Sequence, residues 1–259
     1  MPTTPPMSVS RPAQPVPVRP FSGTANRPAP QGGQPKAPPS FQQDTFQAAA
    51  AAPGRAPAQF PPKGALGPAK NEEEGKKFHM TQWGPTPYNS GGHQMGFADC
   101  GPTSGVIALT ALGLIEQPKP DQAPKAIDYM RDLCDGRDGN QSHLMDWNTL
   151  RRGLKAAGAS SDLVWGTQGI DQALARGNVC ILGGQDPWGA WGAAERAKGN
   201  YLANGNGGHF VAVIGKREDG KYILADPLLK KGPIAVTGQQ LLKFAVGVGA
   251  GGIEVGRGR

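Results

Sequence analysis

The sequence predicts an α+β domain behind a long proline-rich arm, and three observations lead to that prediction. Residues 1–75 contain 17 of the 26 prolines of the 259-residue chain, and such a composition cannot bury enough apolar surface to fold. Residues 76–259 begin with segments that carry apolar side chains at helical spacing and continue with short β-rich runs. Helices followed by an antiparallel sheet are typical of an α+β fold. We therefore expect a disordered Pro/Ala/Gln-rich arm over 1–75 and one folded domain over 76–259.

Three helices are predicted in succession at the start of the domain. Pro102–Leu114 has a proline in its first turn and then apolar residues at helical spacing. Asp121–Leu133 and Asp146–Ala157 repeat the pattern, each with an aspartate at its start. Asp99 and Asp146 are accordingly expected to cap the helices that follow them.

The second half of the domain has the composition and the short runs that are typical of strands. The runs predicted as strands are Val179–Leu182, His209–Gly215 and Tyr222–Ala225, with Ile234–Val236 as a further strand and Gly238–Phe244 as a closing helix. The second and third runs flank a Glu-Asp-Gly turn, so we expect them to form a hairpin. The segment Gln185–Gly205 is predicted as a loop.

Composition and charge argue against several classes of protein. The basic residues behind the net charge of +7 are dispersed along the chain, so we expect no nucleic-acid binding. The longest apolar run, Gly105–Ile115, is too short for a membrane span. Met1–Pro20 has no apolar stretch for a secretory signal, so a cytoplasmic location or export by a signal-independent route is expected. The three cysteines lack metal-ligand spacing, and we expect no metal, no cofactor and a monomer.

The segment Asp99-Cys100-Gly101-Pro102-Thr103-Ser104 places a thiol at the start of a helix. The N–H groups and the dipole of a helix N-terminus favour the thiolate, which is the nucleophilic form of cysteine. Gly101 allows a tight turn that exposes first-turn N–H groups to an oxyanion. A buried cysteine that packs as a small apolar residue is the alternative interpretation.

Two further polar residues lie at the ends of predicted strands. His209 begins a strand after Gly207-Gly208, where its ring points at an open edge that another chain can approach. Asp226 ends the next strand, 17 residues later, and such positions in a hairpin can be neighbours. Asp226 would then orient the imidazole by accepting its hydrogen bond. The alternative is that Asp226 only begins an Asp-Pro turn.

These three segments together resemble motifs of a known enzyme group. Asp-Cys-Gly-Pro-Thr-Ser, Gly-Gly-His-Phe-Val-Ala-Val-Ile-Gly and Tyr-Ile-Leu-Ala-Asp-Pro-Leu are similar to those of papain-like cysteine peptidases of the bacteriocin-processing (double-glycine) peptidase-like group. The resemblance covers residues 78–245 and implies a papain-like fold. It implies Cys100 as the nucleophile, His209 as general base and later acid, and Asp226 as the residue that orients His209. It also implies an upstream glutamine whose side chain donates to the oxyanion.

Two glutamines are candidates for that donor. Gln94 lies six residues before Cys100, which is the short spacing familiar in papain-like enzymes. Gln82 is followed by Trp83 and a Gly/Asn-rich loop, the more distinctive context. We favour Gln82 slightly and keep Gln94 as the alternative.

Trp188 and Trp191 stand in the segment predicted as a loop, shortly before His209. Nothing else in that segment requires two indoles, so contact with a substrate is one interpretation. Packing over the helices is the other. His93 and His143 are interpreted as solvated loop residues.

Three functions remain open at this point. The leading hypothesis is a cysteine peptidase that cleaves a peptide or protein substrate through a thioester on Cys100. An acyl transferase, a deamidase or a peptidoglycan amidase would use the same Cys, His and Asp. The third is a noncatalytic binding module whose arm recruits partners, and the intact Cys100, His209 and Asp226 argue against it.

Overall fold

The computed structural model describes residues 67–82, 99–119, 121–134, 146–202, 208–245 and 251–258. Our predictions for the arm before residue 67, for Gln94 and for His93 and His143 lie outside these ranges. Within them the chain forms helices and one antiparallel sheet, as the sequence predicts.

In the part of the chain that the structure describes, four helices precede the first strand. Their bounds are α1 Glu72–Lys76, α2 Cys100–Ala111, α3 Ala123–Leu133 and α4 Trp147–Ala156. The three predicted helices are thus confirmed as α2, α3 and α4. The Asp146 carboxylate accepts the N–H of Thr149 at 2.7 Å, which confirms its predicted role as the cap of α4.

Strands alternate with short helices in the rest of the domain. The elements are β1 Ala159–Trp165, α5 Gly166–Ala175, β2 Val179–Gly184, a π-helical turn Trp188–Gly192 that continues into α6 Ala193–Ala197, β3 His209–Lys216, β4 Tyr222–Ala225, β5 Ile234–Val236, α7 Gly238–Ala245 and β6 Gly251–Arg257. Neighbouring strands are antiparallel in the order β1-β6-β2-β3-β4-β5. The predicted hairpin is confirmed as β3 and β4. Its turn places Gly220 at a φ of +82°, which glycine adopts without strain.

Helices cover both faces of the sheet. Successive strand residues point to opposite faces, so Ala212 and Ile214 pack with α2, α3 and α4. Val211 and Val213 pack on the other face with α5, the π-helical turn and α7. The α+β prediction, with N-terminal helices packed on an antiparallel sheet, is confirmed, and the second helical layer is an addition to it. None of the helices in the described ranges has the length and apolar content to cross a membrane.

The segment Gln185–Gly205, which we predicted as a loop, is helical over its central part. Asp186 accepts the N–H of Gly189 at 2.6 Å, which satisfies a free donor at the start of the π-helical turn. The alanine-rich residues of α6 are strong helix formers. The loop prediction is therefore wrong over Trp188–Ala197.

Residues before the predicted domain boundary at 76 also pack on the sheet. The N–H of Ala69 donates to the carbonyl of Ile214 in β3 at 2.8 Å, and the Ala69 side chain is buried. Glu72 of α1 accepts a hydrogen bond from Arg217 at 2.8 Å. These contacts attach residues 69–76 to the same sheet that carries His209.

Candidate active site

Cys100 is the first residue of α2, and 9% of its surface is exposed. The first N–H groups of a helix have no acceptor within it, and Pro102 has no N–H at all. The N–H of Thr103 is therefore the first to make a helical hydrogen bond, to the carbonyl of Asp99 at 2.9 Å. The thiol thus lies at the positive end of the helix, beside the N–H groups of Cys100 and Gly101.

Asp99 does not cap α2, so that prediction is wrong. Its side chain makes no capping hydrogen bond because Arg131 of α3 binds the carboxylate instead. Nε of Arg131 donates to Oδ1 at 2.7 Å, and Nη2 donates to the same oxygen. Both side chains are buried, so the residue that precedes the thiol belongs to an internal ion pair.

His209 and Asp226 lie side by side on the face of the sheet that packs against the π-helical turn. His209 begins β3, and Asp226 follows the last residue of β4, which pairs with β3. The antiparallel register brings the two side chains together, and His209 Nε2 lies 2.7 Å from Asp226 Oδ1. Both residues are buried.

The Asp226 carboxylate is held by two further donors. The N–H of Leu228 donates to Oδ1 at 2.8 Å, and the indole N–H of Trp191 donates to Oδ2 at 2.8 Å. Burial by itself raises the pKa of Asp226, but the charge of His209 and these hydrogen bonds outweigh burial and lower it. Asp226 is therefore ionised and fixed in orientation.

His209 is held as a cation by its neighbours. Burial acts to lower its pKa, but the charge and hydrogen bond of Asp226 and the contact with Cys100 raise the pKa to about 10. Because Nε2 faces Asp226, Nδ1 is the ring nitrogen left for Cys100. The N-terminus of α2 and the start of β3 thus bring a thiol and an imidazolium together.

Gln82 lies beside the same turn as Asp226. Its N–H donates to the carbonyl of Pro227 at 3.0 Å, and the residue is only 2% exposed. The backbone of Gln82 is therefore attached to the residue that directly follows Asp226. The alternative candidate, Gln94, is outside the described ranges.

The two tryptophans occupy different places. Trp191 is 3% exposed and its N–H is bonded to Asp226, so it packs behind the carboxylate, and its contact with a substrate stays a prediction. Trp188 is half-buried against the same apolar cluster, and its contact with a substrate stays a prediction. Phe244 of α7 supports both rings of the site, with centroids 4.9 Å from Trp191 and 6.3 Å from His209.

Two further polar side chains were missed at the sequence level. His79 Nε2 donates to the carbonyl of Leu229 at 2.8 Å, and burial lowers the pKa of His79 although the Leu229 hydrogen bond and the Asp226 charge oppose this. Tyr201 is buried, and burial together with the charge of Asp226 raises the pKa of its hydroxyl. Neither residue lies in a motif, so no sequence signal marks them.

The site combines a thiol at a helix start, a cationic imidazole and a fixed carboxylate. That set can exchange a proton between sulfur and nitrogen while the carboxylate holds the ring. Among the described residues no group of histidine, cysteine and acidic side chains is arranged to hold a metal ion.

Comparison with known proteins gives matches only at the level of structure. No family model matches the chain, and none of the curated proteins matches it. The peptidase domain of Streptococcus ComA, a bifunctional ABC transporter involved in quorum sensing, is 12% identical, with a TM-score of 0.39 over 62% of this chain and 93% of that chain. A double-glycine-motif protease from an AMS/PCAT transporter, solved with a leader peptide, is 14% identical, with a TM-score of 0.35 over 61% and 84%.

Proposed function

We propose that the domain is a cysteine peptidase-like hydrolase that cleaves peptide or amide bonds through a thioester on Cys100. One observation supports this most. His209 is bonded to Asp226 through Nε2 at 2.7 Å and contacts Cys100, so Nδ1 is left to exchange a proton with the thiol. A module that only binds a partner has no need of this arrangement.

Acylation starts from the thiolate of Cys100 and the imidazolium of His209. Sγ attacks the carbonyl carbon of the scissile amide, and the electron pair of the C=O bond moves to oxygen. The carbonyl then re-forms as the C–N bond breaks, and the proton on Nδ1 passes to the departing nitrogen. An amine leaves, and a thioester on Cys100 and a neutral His209 remain.

Deacylation reverses the proton movement. Nδ1 of His209 takes a proton from water while the water oxygen attacks the thioester carbonyl. When this second intermediate collapses, the C–S bond breaks and the carboxylic acid leaves. The thiolate and the imidazolium are restored, and Asp226 keeps the ring in place throughout because its carboxylate binds Nε2.

Gln82 is the proposed donor to both oxyanions, together with the backbone N–H of Cys100. Its backbone is attached to Pro227 at 3.0 Å, which holds it near the triad. A side-chain amide donates a hydrogen bond without changing its charge, so it stabilises the oxyanion and takes no part in proton transfer.

Peptide hydrolysis in ¹⁸O-labelled water tests the proposal. The full chain is incubated with a degenerate peptide library, and mass spectrometry identifies products and their new carboxyl termini. We expect cleavage with one ¹⁸O per new terminus, lost in Cys100→Ala and kept in Cys134→Ala, whose thiol is buried elsewhere. Cleavage that persists in Cys100→Ala would exclude the proposed nucleophile. If an amine added to the same reaction is joined to the new termini in place of ¹⁸O, the result would contradict hydrolysis and indicate acyl transfer.

A further inference from the structure

Asp99 occupies the N-cap position of α2, yet its carboxylate points to another helix. Arg131, on the last turn of α3, binds it through Nε at 2.7 Å and through Nη2. Both side chains are almost wholly buried. The rigid guanidinium directs two donors to one carboxylate oxygen, a fixed geometry that a lysine does not provide.

The position of this carboxylate matters because capping donors are scarce at the start of α2. A capping side chain accepts the N–H of the second or third helical residue. In α2 these are Gly101 and Pro102, and proline has no N–H. A capping carboxylate would therefore take the Gly101 N–H and bring a negative charge beside the Cys100 sulfur.

We infer that Arg131 is a positioning residue for the nucleophile, because it holds the Asp99 carboxylate away from the N-terminal amides of α2. Those amides then remain available to the Cys100 thiolate and to the oxyanion. The inference rests on the proposed function, in which Cys100 reacts as a thiolate. Arg131 acts on Cys100 through Asp99 and does not contact the substrate.

Loss of Arg131 has two possible structural consequences, and both disfavour the thiolate. The carboxylate can rotate to accept the Gly101 N–H, or it can stay in place one residue from the sulfur without the positive charge of Arg131. His209 and Tyr201, which also face Cys100, are unchanged in either case. Removal of the carboxylate together with the arginine removes both consequences.

Alkylation of Cys100 by iodoacetamide across pH 5–9 tests this in the full chain. We expect Arg131→Met to move the midpoint of the alkylation profile to higher pH and to slow the reaction at pH 7 by about tenfold or more. The double variant Asp99→Ala/Arg131→Met should recover most of that rate, because alanine has neither the charge nor an acceptor for the Gly101 N–H. Arg176→Met is the control. It removes the ion pair with Glu254 near the start of β2, whereas His209 pairs with the other end of that strand. Its alkylation profile should match the wild type.

Each outcome of this series decides a different question. An Arg131→Met protein that folds by circular dichroism and keeps the wild-type profile would overturn the inference. So would a double variant as slow as Arg131→Met, since the arginine would then act on folding alone. If Arg131→Met does not fold, Asp99→Asn provides the test. We expect its Cys100 alkylation rate at neutral pH to stay within about threefold of the wild type. A larger loss would contradict the inference. A wild type whose Cys100 is inert would instead contradict the proposed function.

Discussion

Trp191 donates its indole N–H to Oδ2 of Asp226 at 2.8 Å, while Oδ1 of the same carboxylate faces His209 Nε2 at 2.7 Å. The tryptophan therefore holds the carboxylate from the side opposite the imidazole. A hydrogen bond to a buried charged group contributes on the order of 1.5–3 kcal/mol, so this contact is strong enough to affect catalysis.

Trp191→Phe should keep the apolar packing against Phe244 and lose the hydrogen bond to Asp226. We expect peptide turnover to fall by about tenfold or more, because Asp226 no longer holds His209 in one orientation. Steady-state hydrolysis of a cleaved peptide measures this. Trp165→Phe is the control, since Trp165 is exposed on the edge strand β1, and an equal loss in both variants would contradict a specific role for Trp191.

Gln82→Ala should separate turnover from thiol reactivity. Loss of the oxyanion donor is expected to reduce turnover about a hundredfold, while alkylation of Cys100 stays near the wild-type rate because alkylation develops no oxyanion. Gln94→Ala, measured in parallel, tests the other candidate. If neither glutamine variant loses turnover, the assignment of a glutamine to the oxyanion is wrong.

How far the sequence predicts this fold depends on the source of each element's stability. Helices α2 to α4 and the β3–β4 hairpin were predicted because helical periodicity, the cap of α4 and the turn residues of the hairpin are local signals. Strand β6, with three glycines in seven residues, was not. A Cβ on Gly251 would collide with the ring of Trp165 in β1, and one on Gly252 would collide with Leu182 in β2, so these glycines permit β6 to lie close to both neighbouring strands. Such contacts between distant segments leave no local pattern.

The same distinction applies to the site. Cys100, His209 and Asp226 were predicted because each lies in a motif at the end of an element. Arg131 lies 32 residues from Asp99, and the aspartate itself has the sequence context of a cap. Only the packing of α3 on α2 shows that its carboxylate is used elsewhere.

His79 should make the domain less stable as the pH falls below neutrality. Burial lowers its pKa in the folded state below the ordinary value of 6.5, so the unfolded chain binds the proton first. Stability is then full above about pH 6.5 and is lost as the pH falls toward the folded-state pKa. His79→Gln, which keeps a donor for Leu229, should remove this dependence in urea unfolding between pH 5 and 7.5. A constant difference between the two proteins across that range would contradict the prediction.

The folded domain is expected to begin before residue 69, because Ala69 and Glu72 contact β3 and Arg217. A chain that starts at Gly67 should unfold at the same urea concentration as the full chain. A chain that starts at Lys76 loses the Ala69 hydrogen bond, helix α1 and the ion pair, and should be less stable by about 2 kcal/mol or more. Equal stability of the two shortened chains would support the domain boundary at residue 76 that the sequence predicts.

The proposed role of Cys100 as the nucleophile is tested most directly by the rate at which each cysteine of the native protein is alkylated near neutral pH. Cys100 lies at the start of α2 beside His209, whereas burial raises the pKa of Cys180 and Cys134 is buried at the end of α3. Site-resolved mass spectrometry after a short exposure to iodoacetamide should show Cys100 modified at least about a hundredfold faster than either. This preference should be lost in His209→Ala. Equal rates for Cys100 and Cys134 in the folded protein would contradict Cys100 as an activated nucleophile.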